Sequence, residues 1–352
     1  MNIYDLGFKD CLTDENSYQG MELMRVIAQH KEQFVLSNGA VQLNAEISGK
    51  FRYMAESSED MPVVGDWVAT TIHDDLAIIH HLLERRTMLA RKSVHHDREL
   101  QVIVANVDIA FIVQGLDRDF NVNRLDRYIT MIISGKVKPV VILNKSDLLS
   151  SAEIDEKKQL VLDRHSQLEI MVSSFMQKKS IKSIKSRMVK GETYCFIGSS
   201  GVGKSTLINS LLEQNVIKTK SLSDSTHKGQ HTTSSRQLLI MDDGALVIDT
   251  PGMRELGIVS AESGIQDIFS SIYESAKRCK FKDCSHTTEK GCAIQEAISL
   301  GEISQPEFDS YLKLQKEDEY NNSTMLERRQ KDKKFGKMIK EVMSHKKKAK
   351  GR

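Results

Sequence analysis

Gly198-Ser199-Ser200-Gly201-Val202-Gly203-Lys204-Ser205-Thr206 has the residue types and spacing of a loop that cradles phosphates, G-x-x-x-x-G-K-[ST]. The glycines let the backbone fold back, so that successive N–H groups and the N-terminus of the following helix face one phosphate chain. The flanks suit this geometry. Tyr194-Cys195-Phe196-Ile197 predicts a buried strand before the loop, and Leu207-Ile208-Asn209-Ser210-Leu211-Leu212 a helix after it. Lys204 is expected to reach the β- and γ-phosphates and so to take part in catalysis, and the Ser205 hydroxyl to ligate Mg²⁺. The plain alternative is a glycine turn between a strand and a helix.

Two further stretches weigh against that alternative. Asp249-Thr250-Pro251-Gly252, behind the apolar run Ala245-Leu246-Val247-Ile248, fits D-x-x-G. Its aspartate would hold Mg²⁺ through water, and the Gly252 N–H would sense the γ-phosphate. Asn144-Lys145-Ser146-Asp147, behind Pro139-Val140-Val141-Ile142-Leu143, resembles the N-K-x-D guanine-recognition motif of GTPases. An aspartate can accept from guanine's N1–H and exocyclic amine, a donor pair that adenine lacks. Asn144 would contact the purine edge or a neighbouring loop, with the Lys145 stem over the ring. Ser173-Ser174 occupies the place of the weaker guanine-O6 motif.

Ser221–Ser235, rich in Ser, Thr, Gly and His, is expected to be a mobile switch loop in which Thr232 or Thr233 closes on Mg²⁺. Met253 follows D-x-x-G where many GTPases carry a water-orienting glutamine, and a thioether cannot orient water. Hydrolysis is therefore expected to be slow or to use another group, with His231 the internal candidate. N-K-x-D precedes the phosphate loop here, the reverse of the common order, so the chain is read as circularly permuted. That order runs the switch region directly into whatever follows residue 252, so nucleotide state is expected to reach the C-terminal domain.

A fourth cluster, Cys279-x4-Cys284-x-His286-x5-Cys292, supplies three thiolates and one imidazole, the four ligands of a closed tetrahedral Zn²⁺ site. Buried cysteines meeting by chance are the alternative, but Lys280, Lys282, Asp283, Glu289 and Lys290 make the segment too polar for a core. With four protein ligands no position is left for water, so one structural zinc is expected. The other two cysteines are Cys11 and Cys195, the latter read as strand core.

The elements that must position these groups fall into blocks along the 352 residues. Residues 1–21 read as a loose or docked arm. Residues 22–92 hold five short strand signals, near 23–27, 33–36, 41–45, 67–72 and 76–79, which suit a small β-barrel of OB type or an SH3-like one. Trp67 is read as core, and Arg85, Arg86, Arg91 and Lys92 as a basic linker able to face phosphates. Residues 98–258 alternate strand and helix patterns, including buried-strand runs at 102–105 and 109–113, which predicts a parallel sheet with every motif at a strand's carboxyl end. Residues 259–325 predict a helical zinc-binding domain, with one amphipathic helix through Ile265, Ile268, Phe269, Ile272, Tyr273 and Ala276 and another starting at Ser304-x-x-Glu307.

Net charge is only +2, yet residues 326–352 hold twelve Lys/Arg against three Asp/Glu, a basic tail of the kind that meets nucleic acid. The first residues lack a signal-peptide layout, and the most apolar run, 102–113, is too short to span a bilayer. A soluble, cytoplasmic protein is expected.

The combination of small barrel, permuted GTPase motifs and C-x4-C-x-H-x5-C element resembles the ribosome small-subunit-dependent GTPase A (RsgA/YjeQ) family over residues from about 22 to 320. Gly229-Gln230-His231-Thr232-Thr233 is similar to that family's switch motif, with Gln230 where an arginine is common. The resemblance implies an N-terminal OB-like β-barrel, a central α/β P-loop GTPase fold in permuted order and a C-terminal helical zinc domain. It also implies a GTP hydrolase acting late in maturation of the small ribosomal subunit, stimulated by that subunit, in contact with its rRNA and with other assembly factors. A monomer is expected. The rival functions are a GTP-gated RNA-binding module that hardly hydrolyses and a zinc-containing regulator with a structural G domain.

Overall fold

The computed structural model describes residues 1–9, 18–30, 33–92, 100–213, 236–249, 262–281, 284–287 and 289–322. Five strands build the first unit: β1 (Glu22–His30), β2 (Gln33–Ser37), β3 (Gln42–Ile47), β4 (Trp67–His73) and β5 (Leu76–Leu82). Their order is β1-β2-β3-β5-β4, and β4 pairs back onto β1, so the barrel closes. Only β3 and β5 run parallel, and the short helix α1 (Gly49–Met54) leaves β3 before β4. This is the OB arrangement, which settles the choice against an SH3-like barrel. The arm is docked: Leu6 and Phe8 are buried with Trp67, and the Phe8 ring meets the indole edge-on at 4.9 Å. Trp67 is core, as expected, at 1% exposure.

The second unit comprises β8 (Ile109–Gly115), α2 (Val122–Ser134), β9 (Lys138–Asn144), α3 (Ser151–Leu162), β10 (Glu169–Val172), α4 (Lys178–Arg187), β11 (Thr193–Ile197), α5 (Lys204–Leu212), β12 (Arg236–Ile240) and β13 (Leu246–Asp249). The sheet order is β10-β9-β8-β11-β13-β12, parallel through β13. β8 and β11 are buried along their whole length, as parallel strands with both faces covered must be.

Three features depart from the sequence expectation. The strand containing Val102–Ala105 does not join the parallel sheet. It is β7 (Leu100–Ala105), paired antiparallel with β6 (Met88–Lys92) in a separate two-stranded sheet. Arg85 and Arg86, read as open to phosphates, are consumed internally: Arg85 grips the buried Asp66 carboxylate through two hydrogen bonds of 2.8 and 2.7 Å, and Arg86 pairs with Asp108 at 2.9 Å. Burial raises the Asp66 pKa, and the Arg85 guanidinium opposes that shift. Third, β12 is antiparallel and joins the two units, because Ala28 and Gln29 of β1 pair with Gln237 and Arg236. A register shift at Val26/Ala28 lets β1 leave β4 and reach β12.

Arg25, fully buried on β1, fastens this junction by donating to Gly65 O, Asn106 O and Thr193 Oγ1 at 2.9–3.2 Å, and to Leu6 O at 2.5 Å. Desolvation lowers its pKa to about 10, so the guanidinium stays charged at neutral pH.

The C-terminal unit is helical: α6 (Glu262–Ile268), α7 (Ser270–Ala276), α8 (Ala293–Ser299) and α9 (Gln305–Asn322). The single helix expected over 265–276 is broken at Phe269, which caps α7 with non-helical angles while its ring stays buried. The apolar spacing survives the break, with Ile265, Phe269 and Ile272 in one core with Phe308 and Tyr311. Ser304 caps α9 as predicted, its Oγ accepting from Glu307 N at 3.2 Å.

This unit docks on α2 of the central one. Gly264 lies so close that a Cβ there would stand 2.5 Å from Thr130 O. Beside it, the buried Asp126 accepts from Arg164 at 2.8 Å, His165 at 2.6 Å and the Ser310 hydroxyl at 2.6 Å. Among the described residues no helix is long and apolar enough to cross a membrane.

Candidate nucleotide site and metal centre

The permuted motifs meet at the carboxyl end of the sheet. β9 ends at Asn144, β11 at Ile197 just before the glycine loop, and both flank β8. The Asn144 amide is 6% exposed and spans the gap: Nδ2 donates to Val202 O at 2.8 Å, and Oδ1 accepts from Ser173 Oγ at 2.9 Å. Asn144 thus sits against neighbouring loops, one of the two alternatives its sequence left open. Gly203 has φ +97°, and a Cβ there would approach Asn144 Nδ2 to 2.5 Å, so both backbone and bridge require glycine.

The guanine-motif loop is locked to the serine pair. Ser146 N donates to Ser173 O at 3.1 Å, and the Ser174 hydroxyl donates to Asp147 Oδ1. Asp147 itself is exposed, leaving carboxylate capacity for a ligand edge that carries two donors. Lys145 takes a left-handed conformation, φ 64°, and its ammonium pairs with Asp117 Oδ2 at 2.5 Å. Burial raises the Asp117 pKa, but hydrogen bonds from Lys145 and from the Asp119 N–H outweigh it and hold the carboxyl below its ordinary value.

Sequence reasoning missed two supports of this site. Asp117 fixes Lys145, and the Ser180 hydroxyl of α4 accepts from Ser174 N at 3.1 Å. Asp117 was traceable in principle, because it follows β8 at the same end of the sheet as every other motif.

In the glycine loop, Lys204 Nζ donates to Gly198 O at 2.7 Å and Ser199 O at 2.5 Å. Gly203 opens α5 without any side-chain cap, so the first-turn amides are oriented by the loop alone. Ser205 and Thr206 lie in that first turn, half-buried, while Ser200 and Gly201 are exposed at the loop's crest. Asp249 ends β13, whose Ile248 pairs with Cys195 of β11, so its carboxylate belongs to the level of the strand that feeds the loop. Cys195 is fully buried and its thiol pKa is pushed up by that burial, as expected of strand core. Gly252, His231, Thr232, Thr233, Met253, Cys11 and the basic tail lie outside the described residues.

The Cys/His cluster is assembled. The ligand atoms of Cys279, Cys284, His286 and Cys292 all lie within 4.8 Å of one another, with Cys279 Sγ 3.5 Å and Cys292 Sγ 3.6 Å from His286 Nδ1 and 3.9 Å between those two sulfurs. Zn–S bonds of about 2.3 Å and a Zn–N bond of about 2.0–2.1 Å separate the corners of a tetrahedron by roughly 3.5–3.8 Å, so the spacing fits a zinc ion. Burial lowers the His286 pKa, against the pull of Glu289, and favours the neutral imidazole that a metal needs. Lys280 N donates to Gly291 O at 3.1 Å, closing the loop behind the ligands.

Comparison with known proteins agrees with this geometry. The RsgA GTPase family model matches residues 82–259. Small ribosomal subunit biogenesis GTPase RsgA 2 of Vibrio parahaemolyticus is 37% identical over 346 residues, covering 97% of this chain and 93% of that one. The protein of the same name from Lactiplantibacillus plantarum is 39% identical over 328 residues, covering 92% and 91%. Among solved structures, YjeQ from Thermotoga maritima superposes with a TM-score of 0.60 at 24% identity over 84% of this chain and 97% of that one. YloQ, described as a circularly permuted GTPase, gives 0.61 at 22% identity over 89% and 100%. These two likenesses establish the permuted fold. With the family's model spanning the phosphate loop and the guanine motif together, and relatives more than a third identical over nine-tenths of their length, the chain belongs to the RsgA GTPase family.

Proposed function

We propose that this protein hydrolyses GTP during assembly of the small ribosomal subunit, slowly alone and faster when bound to that subunit. The observation that carries the reading is the Asn144 bridge, which ties the loop bearing Asp147 to the loop bearing Lys204 and so builds one pocket from two distant peptides. Asp147 selects guanine, Lys145 lies along the purine, and the Ser173–Ser174 pair shapes the base site. The 198–206 loop holds the phosphates, with Lys204 moving from the Gly198 and Ser199 carbonyls to the β- and γ-oxygens. Mg²⁺ is held by Ser205, through water by Asp249, and by Thr232 or Thr233.

Gly252 senses the γ-phosphate, and His231 orients the attacking water in place of the glutamine that Met253 replaces. The Cys₃His cluster holds one structural zinc. The protein works as a cytoplasmic monomer on the subunit and its rRNA, alongside other assembly factors. The relatives' names, which specify small ribosomal subunit biogenesis, support that setting.

Turnover measured for the chain alone, with deproteinised ribosomal RNA and with purified small subunits tests the reading. Stimulation by subunits well beyond RNA is expected. Equal, negligible turnover in all three would favour a GTP-gated RNA-binding module. His231→Ala should keep GTP affinity and lose the stimulated turnover; unchanged turnover would remove His231 from the mechanism.

A further inference from the structure

Beyond Ser180, which holds Ser174 N, the side chains of α4 have no part in the site so far. Its sequence, KKSIKSIKSR, has five cations and no acid. Ile181 and Ile184 turn toward the apolar core behind the sheet. Lys185 and Arg187 are neutralised by Glu213 and Glu169 at 2.7 Å each. Lys178, Lys179 and Lys182 are exposed and form no ion pair or hydrogen bond with a described residue; Glu213, whose carboxylate lies in the field of Lys182, is already paired with Lys185. The spacing i, i+1, i+4 puts these three ammonium groups on one side of the helix.

Just before them, Phe175 is 60% and Met176 77% exposed, two large apolar side chains left in water on the loop that carries Ser174. That loop is anchored at both ends: Ser174 N donates to Ser180 Oγ, and Met176 N to Ser174 Oγ at 3.0 Å. An aromatic ring on a fixed loop followed by a row of lysines that no described residue neutralises matches the two needs of single-stranded nucleic acid, a stacking platform for a base and cations along the phosphates. An acidic protein surface would use the lysines but leave the exposed Phe175 ring unexplained.

We infer that Phe175, Met176, Lys178, Lys179 and Lys182 form a contact surface for an unpaired RNA segment, with a base against Phe175 and successive phosphates on the three lysines. The inference rests on the ribosomal reading above and adds where on the central domain RNA is held. Because the same loop holds Asp147 through Ser174, RNA seated there lies one residue from the base-selecting contact.

The test compares the full chain with Lys178→Ala/Lys179→Ala/Lys182→Ala and, separately, with Phe175→Ala, titrated onto purified small subunits and onto deproteinised ribosomal RNA at several salt concentrations. Each lost contact to a single strand removes roughly 0.7 from the slope of log affinity against log salt. The triple variant should therefore show a slope shallower by about 2 on both probes, with wild-type thermal stability and wild-type GTP affinity. Phe175→Ala should weaken binding roughly tenfold without changing the slope.

A triple variant with wild-type affinity and slope on subunits would overturn the inference. So would a variant weakened on subunits yet normal on deproteinised RNA, which would assign the face to a ribosomal protein. Failure of the wild-type chain to bind subunits would instead bring down the functional reading, and the inference with it.

Discussion

Asn144 Nδ2 donates to Val202 O at 2.8 Å, joining two loops whose residues stand 58 apart in sequence. The same side chain accepts from Ser173 Oγ, so one buried amide holds together the serine pair, the Asp147 loop and the phosphate loop. Permutation changes the order of these peptides in the chain, but the parallel strands β9, β8 and β11 still deliver them to one end of the sheet.

Asn144→Ala removes both hydrogen bonds and leaves Ser173 and Val202 buried without that partner. At about 0.5–1.5 kcal/mol for each bond, GTP affinity should fall roughly tenfold or more, measured by calorimetry on a variant that still unfolds cooperatively. Gly203→Ala should be at least as damaging, since it meets both a positive φ and the Asn144 amide. Wild-type affinity in either variant would mean that the bridge does not shape the pocket.

Much of this was legible in the sequence because the chemistry fixes the spacing. The glycine loop, the N-K-x-D loop, the five barrel strands and the Cys/His cluster each declare themselves through local residue types. What was not legible depends on long-range pairing. Residues 102–105 have the composition of a buried parallel strand, yet β7 pairs with β6, since apolar content says nothing about which edge a strand joins. Arg85 and Arg86 read as a free basic run because Asp66 and Asp108, which neutralise them, lie about twenty residues away in sequence. The break at Phe269 was hidden because helical spacing of the apolar residues persists through it.

Removal of zinc should act locally. Cys292→Ser, or a strong chelator, is expected to release hydrogen-exchange protection across α7, α8 and the first turns of α9 while the strands β8, β9 and β11 keep theirs. Zinc binding of roughly 10–16 kcal/mol in finger peptides is large beside the core available to so small a unit. Uniform loss over the whole chain, or none anywhere, would count against a separate zinc-stabilised unit.

Asp126→Ala should cost about 3–5 kcal/mol of unfolding free energy in urea, because it strands Arg164 without its buried counter-charge and His165 and Ser310 without their hydrogen-bond partner. Ser310→Ala should cost only about 1 kcal/mol. A loss below 1 kcal/mol for Asp126→Ala would show that the α2–α9 junction is not held through this carboxylate.

Acid should weaken the β10–α4 tie. The Arg187 hydrogen bond holds the Glu169 pKa below its ordinary 4.5, so the pair's stabilisation is complete above that value and is lost as pH falls through the lowered folded pKa. Glu169 is about a third exposed, which limits the gain to about 0.5–1 kcal/mol. Glu169→Gln should thus lower the thermal midpoint slightly at neutral pH, and the gap to wild type should close as pH drops well below 4.5. A gap that widened in acid would reverse the assigned sign.

The most direct test of the central claim is calorimetric titration of the chain with GTP and with ATP, each with Mg²⁺, alongside Asp147→Ala. One pocket joining Asp147 to Lys204 predicts binding of GTP at least a hundredfold tighter than ATP in the wild-type chain, with most of that preference abolished by Asp147→Ala. Equal affinity for the two nucleotides in the wild-type chain, or a guanine preference untouched by the substitution, would contradict it.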